Sequence, residues 1–181
     1  SNCYVVECPL DSYAGIMRTD MMMAQISKRR GGVGTDLSNI RPNKTPTKNA
    51  SRTSTGIIPF ARRYSNTIRE IGQDGRRGAL MLCLDVHHPE AVIVNEDAWE
   101  NPLPITIAGD PQLGFRDIVT DNRYYDPNNI DFVSSKLNRG DITGANISLR
   151  ASDEFMRAVR DKKKFEQRFP VDYHKTNIKP L

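Results

Sequence analysis

Ala79-Leu80-Met81-Leu82-Cys83-Leu84-Asp85 is a nearly unbroken apolar run closed by an acid. A run of this kind suits a β-strand covered on both faces, as in a parallel sheet with helices outside. Just upstream, Gly72-Gln73-Asp74-Gly75-Arg76-Arg77-Gly78 breaks a helical pattern that starts at Gly56-Ile57-Ile58-Pro59-Phe60, where Pro59 is tolerable in the first turn. Ile58, Ala61, Ser65 and Ile68 share one face of that helix, and Arg62, Arg63 and Arg69 lie off it. Further back, Cys3 to Val6 reads as a short buried strand rich in β-formers, ended by Pro9. Asp11 and Ser12 are both good N-caps for a helix over Tyr13 to Ser27, and a short strand is expected around Val33 to Leu37. Strand, helix, loop, helix, strand is the α/β pattern.

Downstream the character changes. Glu90 to Asn128 hold Pro102, Pro104, Pro111, Pro127 and the only tryptophan, Trp99, with no helical period. This segment reads as an irregular excursion with one short strand at Ile105 to Ala108. Regularity returns with a short helix over Ile130 to Leu137 and a strand in the second half of Thr143 to Arg150. A last helix is capped by Ser152-Asp153-Glu154, with Phe155, Met156 and Val159 on its buried side. The tail from Phe169 reads as loop, and there is no internal repeat.

The 181 residues fit one domain or a large piece of one. Hydrophobic content of 38%, charge of 27% and a mean hydropathy of −0.57 fit a soluble globular protein. No apolar run approaches the ~20 residues that a membrane span needs. A formal charge of +4 and a pI near 9.0 favour anionic partners without requiring nucleic acid. Cys3, Cys8 and Cys83 are an odd number without zinc-like spacing, which points to a reducing compartment, the cytoplasm. The abrupt, strand-like opening at Ser1 to Val6 reads as that of an excised fragment.

The charge concentrates in Lys28 to Lys48. That stretch holds three glycines, two prolines and six cationic side chains against a single acid, Asp36. Glycines let backbone approach a ligand closely, and cations gathered on such a turn suit phosphate. The chemistry implied is a phosphate-bearing ligand, nucleotide or nucleic acid; a solvated basic loop is the plain alternative. Thr45 to Thr55, rich in Thr, Ser, Lys and Asn, is expected to be mobile unless a ligand holds it.

Other motifs are weaker. Gly31-Gly32-Val33-Gly34 lacks the spacing and acid of a dinucleotide fingerprint. His87-His88 has no third metal ligand at useful spacing and reads as a packed or turn-forming pair. Asp153-Glu154 reads as helix capping, the Met21-Met22-Met23 cluster as adaptable packing, and Cys83 as an inert core thiol. Cys3 alone reads as structural, because redox chemistry needs an accessible thiolate and a partner.

The motifs in order change that reading. Ser1-Asn2-Cys3, Asp11-Ser12, Lys28-Arg29-Arg30-Gly31-Gly32-Val33-Gly34 and Ile40-Arg41-Pro42 come first. Gly56-Ile57-Ile58-Pro59-Phe60, Gln73-Asp74-Gly75-Arg76-Arg77-Gly78-Ala79 and Asp85-Val86-His87-His88-Pro89 follow. Thr143-Gly144-Ala145-Asn146-Ile147-Ser148 and Asp153-Glu154-Phe155-Met156 complete the series. Together they resemble the large (catalytic) subunit of ribonucleotide reductase over almost the whole chain except Glu90 to Asn128. That segment looks like an insertion (90–128) within one partial barrel domain (1–181).

The resemblance implies part of a ten-stranded α/β barrel in an enzyme that reduces ribonucleotides to 2′-deoxyribonucleotides by cysteine thiyl-radical chemistry. It implies that Cys3 is one of two cysteines that supply electrons and become a disulfide, re-reduced by a thioredoxin- or glutaredoxin-type partner. Asn2, Gly31 and Gly32 would contact the substrate nucleotide. Asp11, Ser12 and Tyr13 would read an allosteric dNTP or ATP, with Lys28, Arg41 and Lys48 on its triphosphate. A first specificity loop would span about Arg41 to Thr55, and a second, with Gln73, Asp74, Arg76 and Arg77, would bridge effector and substrate. The family's radical cysteine lies beyond Leu181, so the fragment alone is expected to be inactive. The radical source of the full enzyme, adenosylcobalamin or a separate metal-containing subunit, stays open, with a slight lean in two motifs toward cobalamin-dependent relatives. The full enzyme is expected to be a homodimer. The rival reading is a non-catalytic nucleic-acid-binding module using Lys28 to Arg52; no aromatic residue lies in that run to stack a base.

Overall fold

The computed structural model describes residues 2–71, 78–91, 118–119, 132–137, 142–161 and 165–171. Four parallel strands form its main sheet: β1 (Cys3–Val5), β2 (Gly32–Asp36), β3 (Leu80–Asp85) and β5 (Asn146–Arg150), side by side in that order. A two-stranded parallel pair joins β4 (Ile118–Val119), inside the proline-rich segment, to β6 (Phe165–Glu166). The helices are α1 (Tyr13–Ser27), α2 (Ile58–Glu70), α3 (Phe132–Leu137) and α4 (Asp153–Arg160). In the main sheet the strand order rises without reversal. Right-handed crossovers that all step the same way leave their helices on one face, the winding of a barrel rather than of a doubly wound sheet.

Register fixes which side chains share a face. Val33 pairs with Leu80 and Thr35 with Leu82, and Leu82 with Ile147. This is the helix-covered face, where Val33, Leu80, Leu82 and Leu84 are buried with Ile16, Met23, Ile58, Ala61, Tyr64 and Ile68. The opposite face carries Gly34 beside Met81, Asp36 beside Cys83, and Asp85 beside Arg150. It is partly exposed, with Met81 at 40%. The apolar run of β3 is therefore buried on one face and half-open on the other.

Caps and helical phase explain α1. Ser12 Oγ accepts from Gly15 N–H at 3.1 Å, and Ile16, Thr19, Asp20, Met23 and Ser27 recur on one face. The three methionines divide as their 100° spacing demands: Met23 is fully buried, Met22 partly, and Met21 is 60% exposed. α2 packs on α1 through Tyr64, whose phenol donates to the Ile16 carbonyl at 2.9 Å, and through Arg63, 2.8 Å from Asp20. Burial pushes the Tyr64 phenol well above its usual range.

Four expectations change. β1 is not buried: Cys3, Tyr4 and Val5 are all exposed, Val5 at 93%, because β1 is an edge strand beside the open face. In α4, Phe155 and Ala158 are buried while Met156 is 51% exposed. Phe155 and Ala158 lie one turn apart on the face toward Val86 and Phe165, and Met156 points away. Residues 44–54 form a hydrogen-bonded hairpin instead of an open loop, with Pro46 bridged to Thr53. The short strand β6 was not anticipated. The strand expected at Ile105 to Ala108 lies outside the described residues.

Candidate functional site

Two places hold the candidate residues, one at each end of the parallel strands. At the carboxyl ends, the start of α1, the Ile40-Arg41 turn and the 44–54 hairpin enclose a cavity of about 480 Å³. Asp11, Ser12 and Tyr13 line it from α1, Arg41 from the turn, and Lys48 from the hairpin tip. Ile16, Ile40 and Phe60 supply an apolar wall, with the Tyr13 and Phe60 rings edge-to-face at 6.2 Å. An apolar wall opposite a few convergent polar groups is the usual make-up of a small-molecule site.

Arg41 and Asp11 meet here across thirty residues of chain. Arg41 Nε–H donates to Asp11 Oδ2 at 2.7 Å, its backbone N–H to Oδ1 at 3.2 Å, and Nη2 to the Asp11 carbonyl at 3.4 Å. The side chains are 33% and 30% exposed, and pairs in that setting contribute on the order of 0.2–1 kcal/mol. The hairpin is pinned by Lys44 N–H to the Ser54 carbonyl (2.9 Å), Ser54 N–H to the Thr45 carbonyl (2.8 Å) and Thr47 N–H to the Arg52 carbonyl (2.9 Å). Lys44 and Arg52 both adopt positive φ, 62° and 58°, a region sparsely occupied by non-glycine residues.

Lys28 does not join this cavity. It is the C-cap of α1, and Ser12 is the N-cap. Fifteen helical residues at 1.5 Å each put about 22 Å between the two ends. Lys28 stands instead at the amino ends of the strands, next to the turn that leads into β2.

At those amino ends lie Asn2, Cys3, Gly31 and Gly32. Gly32 N–H donates to the Asn2 carbonyl at 2.6 Å, and Cys3 is paired with Gly32 across the sheet. A Cβ added at Gly32 would sit 3.4 Å from Cys3 Sγ, so the missing side chain leaves the exposed thiol uncovered on the open face. At Gly31 an added Cβ would collide with Ile26 on the helix side. The expected second loop residues Gln73, Asp74, Arg76 and Arg77 lie outside the described residues.

Between the two places the open face carries a charge cluster. Arg150 lies 3.0 Å from Asp36 and 3.4 Å from Asp85. Burial, and then the Asp36 carboxylate, push the Cys8 and Cys83 thiols up, which leaves them poor thiolates. His87 is buried between two carboxylates, with Nδ1 2.7 Å from Asp85 and Nε2 3.3 Å from Glu154. His88 is fully buried; burial holds its imidazole down at about 4. The pair packs, as its turn position implies. Among the described residues no three His, Cys, Asp or Glu side chains converge to hold a metal ion, and no helix is long and apolar enough to cross a membrane.

Sequence reasoning missed the apolar wall and the buried turn beneath it. Ile16 was legible in principle, one helical turn beyond Tyr13, and Phe60 sits in the Gly-Ile-Ile-Pro-Phe motif. No sequence signal joins Ile40 or Ile57 to residues 88 and 90.

A singly wound parallel sheet, with a polar-and-apolar cavity at one end of its strands and an uncovered thiol at the other, is the arrangement of a segment of an α/β barrel. The family profile described as "Ribonucleotide reductase, barrel domain" matches residues 1–179, and the chain belongs to that family, as part of a large subunit. It is 38% identical over 94 residues to the large chain of ribonucleoside-diphosphate reductase from Cryptosporidium parvum and to that from Schizosaccharomyces pombe. It is 38% identical over 92 residues to the large subunit from Variola virus. The matches cover 51%, 51% and 50% of this chain and 12% of each relative's length.

Proposed function

We propose that the chain is the first part of the barrel of a ribonucleotide reductase large subunit, and that its 480 Å³ cavity is the site of a regulatory nucleoside triphosphate. The observation that carries this reading is the convergence of Asp11, Ser12, Tyr13, Arg41 and Lys48 on one cavity from three separate segments. The positive end of α1 and two cations suit a polyphosphate, and the Tyr13, Ile16 and Phe60 wall suits a base. The Asp11–Arg41 pair is weak enough for a more highly charged phosphate to draw Arg41 away.

In the same reading Cys3 is a redox thiol. With a second cysteine elsewhere in the full chain it gives two electrons and two protons to the substrate, whose 2′-oxygen leaves as water. The two thiols become a disulfide, and a thioredoxin- or glutaredoxin-type dithiol restores them. The thiyl radical and its source, adenosylcobalamin or a metal-containing subunit, belong to the full enzyme. Segment 90–128 is read as an insertion within the single partial barrel domain, and the full protein as cytoplasmic.

A homodimer fits as well. Leu10, Tyr13, Met17 and Met21 form an exposed apolar stripe along α1 beside the cavity. Within one chain the cavity and the flanks of the second loop stand at opposite ends of α2, about 20 Å apart. Coupling through that loop is most direct between two copies.

The test is a titration of the full-length protein with dNTPs and with oligonucleotides at several salt concentrations. Saturable dNTP binding with weak salt dependence is expected. Steeply salt-dependent oligonucleotide binding with no preference for dNTP would favour a basic nucleic-acid module instead.

A further inference from the structure

The turn that leaves β3 buries four ionisable side chains: Asp85, His87, His88 and Glu90 are each no more than 6% exposed. Burying such groups is unfavourable unless each finds a partner. Asp85 and His87 find theirs in Arg150 and Glu154. His88 and Glu90 turn the other way, to the backbone beneath the cavity. His88 Nε2–H donates to the Ile40 carbonyl at 2.8 Å, one residue before Arg41. Glu90 Oε2 accepts from Ile57 N–H at 2.9 Å, two residues after Thr55. The two are joined, because Glu90 N–H donates to His88 Nδ1 at 3.1 Å, which fixes the imidazole tautomer.

Gly56 shows how closely this contact is built. Its φ is +76°, and an added Cβ would collide with the Glu90 carboxylate. Both stems of the 41–55 segment are thus held by two side chains two residues apart. The Asp85 N–H donates to Ser38 Oγ at 2.8 Å and ties the same turn to the chain leading into Ile40.

We propose that His88 and Glu90 are positioning residues for the cavity: by fixing the Ile40 carbonyl and the Ile57 amide they set where Arg41 and Lys48 stand against Ser12 and Tyr13. This rests on the reading of the cavity as a regulatory-nucleotide site. A carboxylate that only capped α2 would alter stability and leave the affinity of the folded protein unchanged. A brace alters affinity, because a displaced stem moves the phosphate-binding side chains.

The experiment is equilibrium dialysis of the full-length protein with dATP, dGTP and dTTP in turn, below the unfolding transition of every variant. Glu90→Ala is expected to weaken binding roughly tenfold, the equivalent of one lost charged hydrogen bond. Glu90→Gln, which keeps an acceptor at Ile57, should stay within twofold of wild type. Glu90→Asp keeps the charge but shortens the reach by one carbon–carbon bond, and should weaken binding at least threefold even if Glu90→Ala fails to fold. Wild-type affinity in Glu90→Asp, or a loss that Glu90→Gln does not restore, overturns the assignment. Arg41→Ala is the control for the underlying reading. If Arg41→Ala binds like wild type, the cavity is not the nucleotide site; if it loses binding while Glu90→Asp does not, only the brace fails.

Discussion

The two ends of the parallel strands are built differently. At the amino ends, Cys3 stands exposed on an edge strand over a glycine, held by main-chain bonds such as that from Gly32 to Asn2. At the carboxyl ends, four buried ionisable side chains of one turn tie β2, α2 and α4 together. The contrast follows from what each end has to do in the proposed enzyme. A redox thiol must be reached by substrate and by a partner thiol, so bulk around it is a hindrance. A site that reads a regulatory ligand must hold cations and rings from distant segments in one arrangement, so it needs a braced scaffold.

The largest effect expected from this contrast is at Cys3. In the full-length enzyme Cys3→Ser should block multiple turnover with a dithiol reductant, by about a hundredfold or more, with little change in the unfolding midpoint of so exposed a residue. Sustained turnover in that variant would remove Cys3 from the redox role. Two glycine substitutions sharpen the same comparison. Gly56→Ala meets both a positive φ and the Glu90 carboxylate, and should destabilise by about 3 kcal/mol in denaturant unfolding. Gly32→Ala meets Cys3 Sγ at 3.4 Å, Ala79 Cβ at 3.5 Å and the Asn2 carbonyl at 3.7 Å, all ordinary contacts, and should change stability by less than about 1 kcal/mol while slowing alkylation of the thiol. Equal costs at the two glycines would contradict the difference between the ends.

Acid should act at the braced end. His88 is held at about 4 in the folded chain against 6.5 when free. As pH falls from 6.5 toward 4, the unfolded chain takes up a proton there that the folded chain refuses. The stability that His88 contributes is therefore lost across that window, by about 3 kcal/mol, and that contribution is flat below it. His88→Gln can keep both hydrogen bonds without titrating, and should flatten that part of a pH series of unfolding free energies. An unchanged slope would place the acid sensitivity elsewhere.

Much of the fold was legible because its signals are local. The capping residues Asp11 and Ser12 marked where α1 begins, and the apolar run marked β3. What depends on neighbours was not. Cys3 to Val5 look like a core strand by composition, but burial is decided by what lies alongside, and β1 has a partner on one side only among the described strands. Lys28 looks like a companion of Arg41 in a basic run, yet a fifteen-residue helix carries it to the other end of the sheet from Ser12. The contacts of Arg41 with Asp11, and of His88 and Glu90 with residues 40 and 57, join segments thirty or more residues apart. No periodicity encodes them.

In the proposed enzyme, control sits at the carboxyl ends of the strands, in the cavity around Arg41. The most direct measurement is the response of the full-length enzyme's substrate preference to added dNTP in Arg41→Ala. Loss of that response, with dNTP affinity weakened at least tenfold, is predicted. A wild-type response in Arg41→Ala would contradict it.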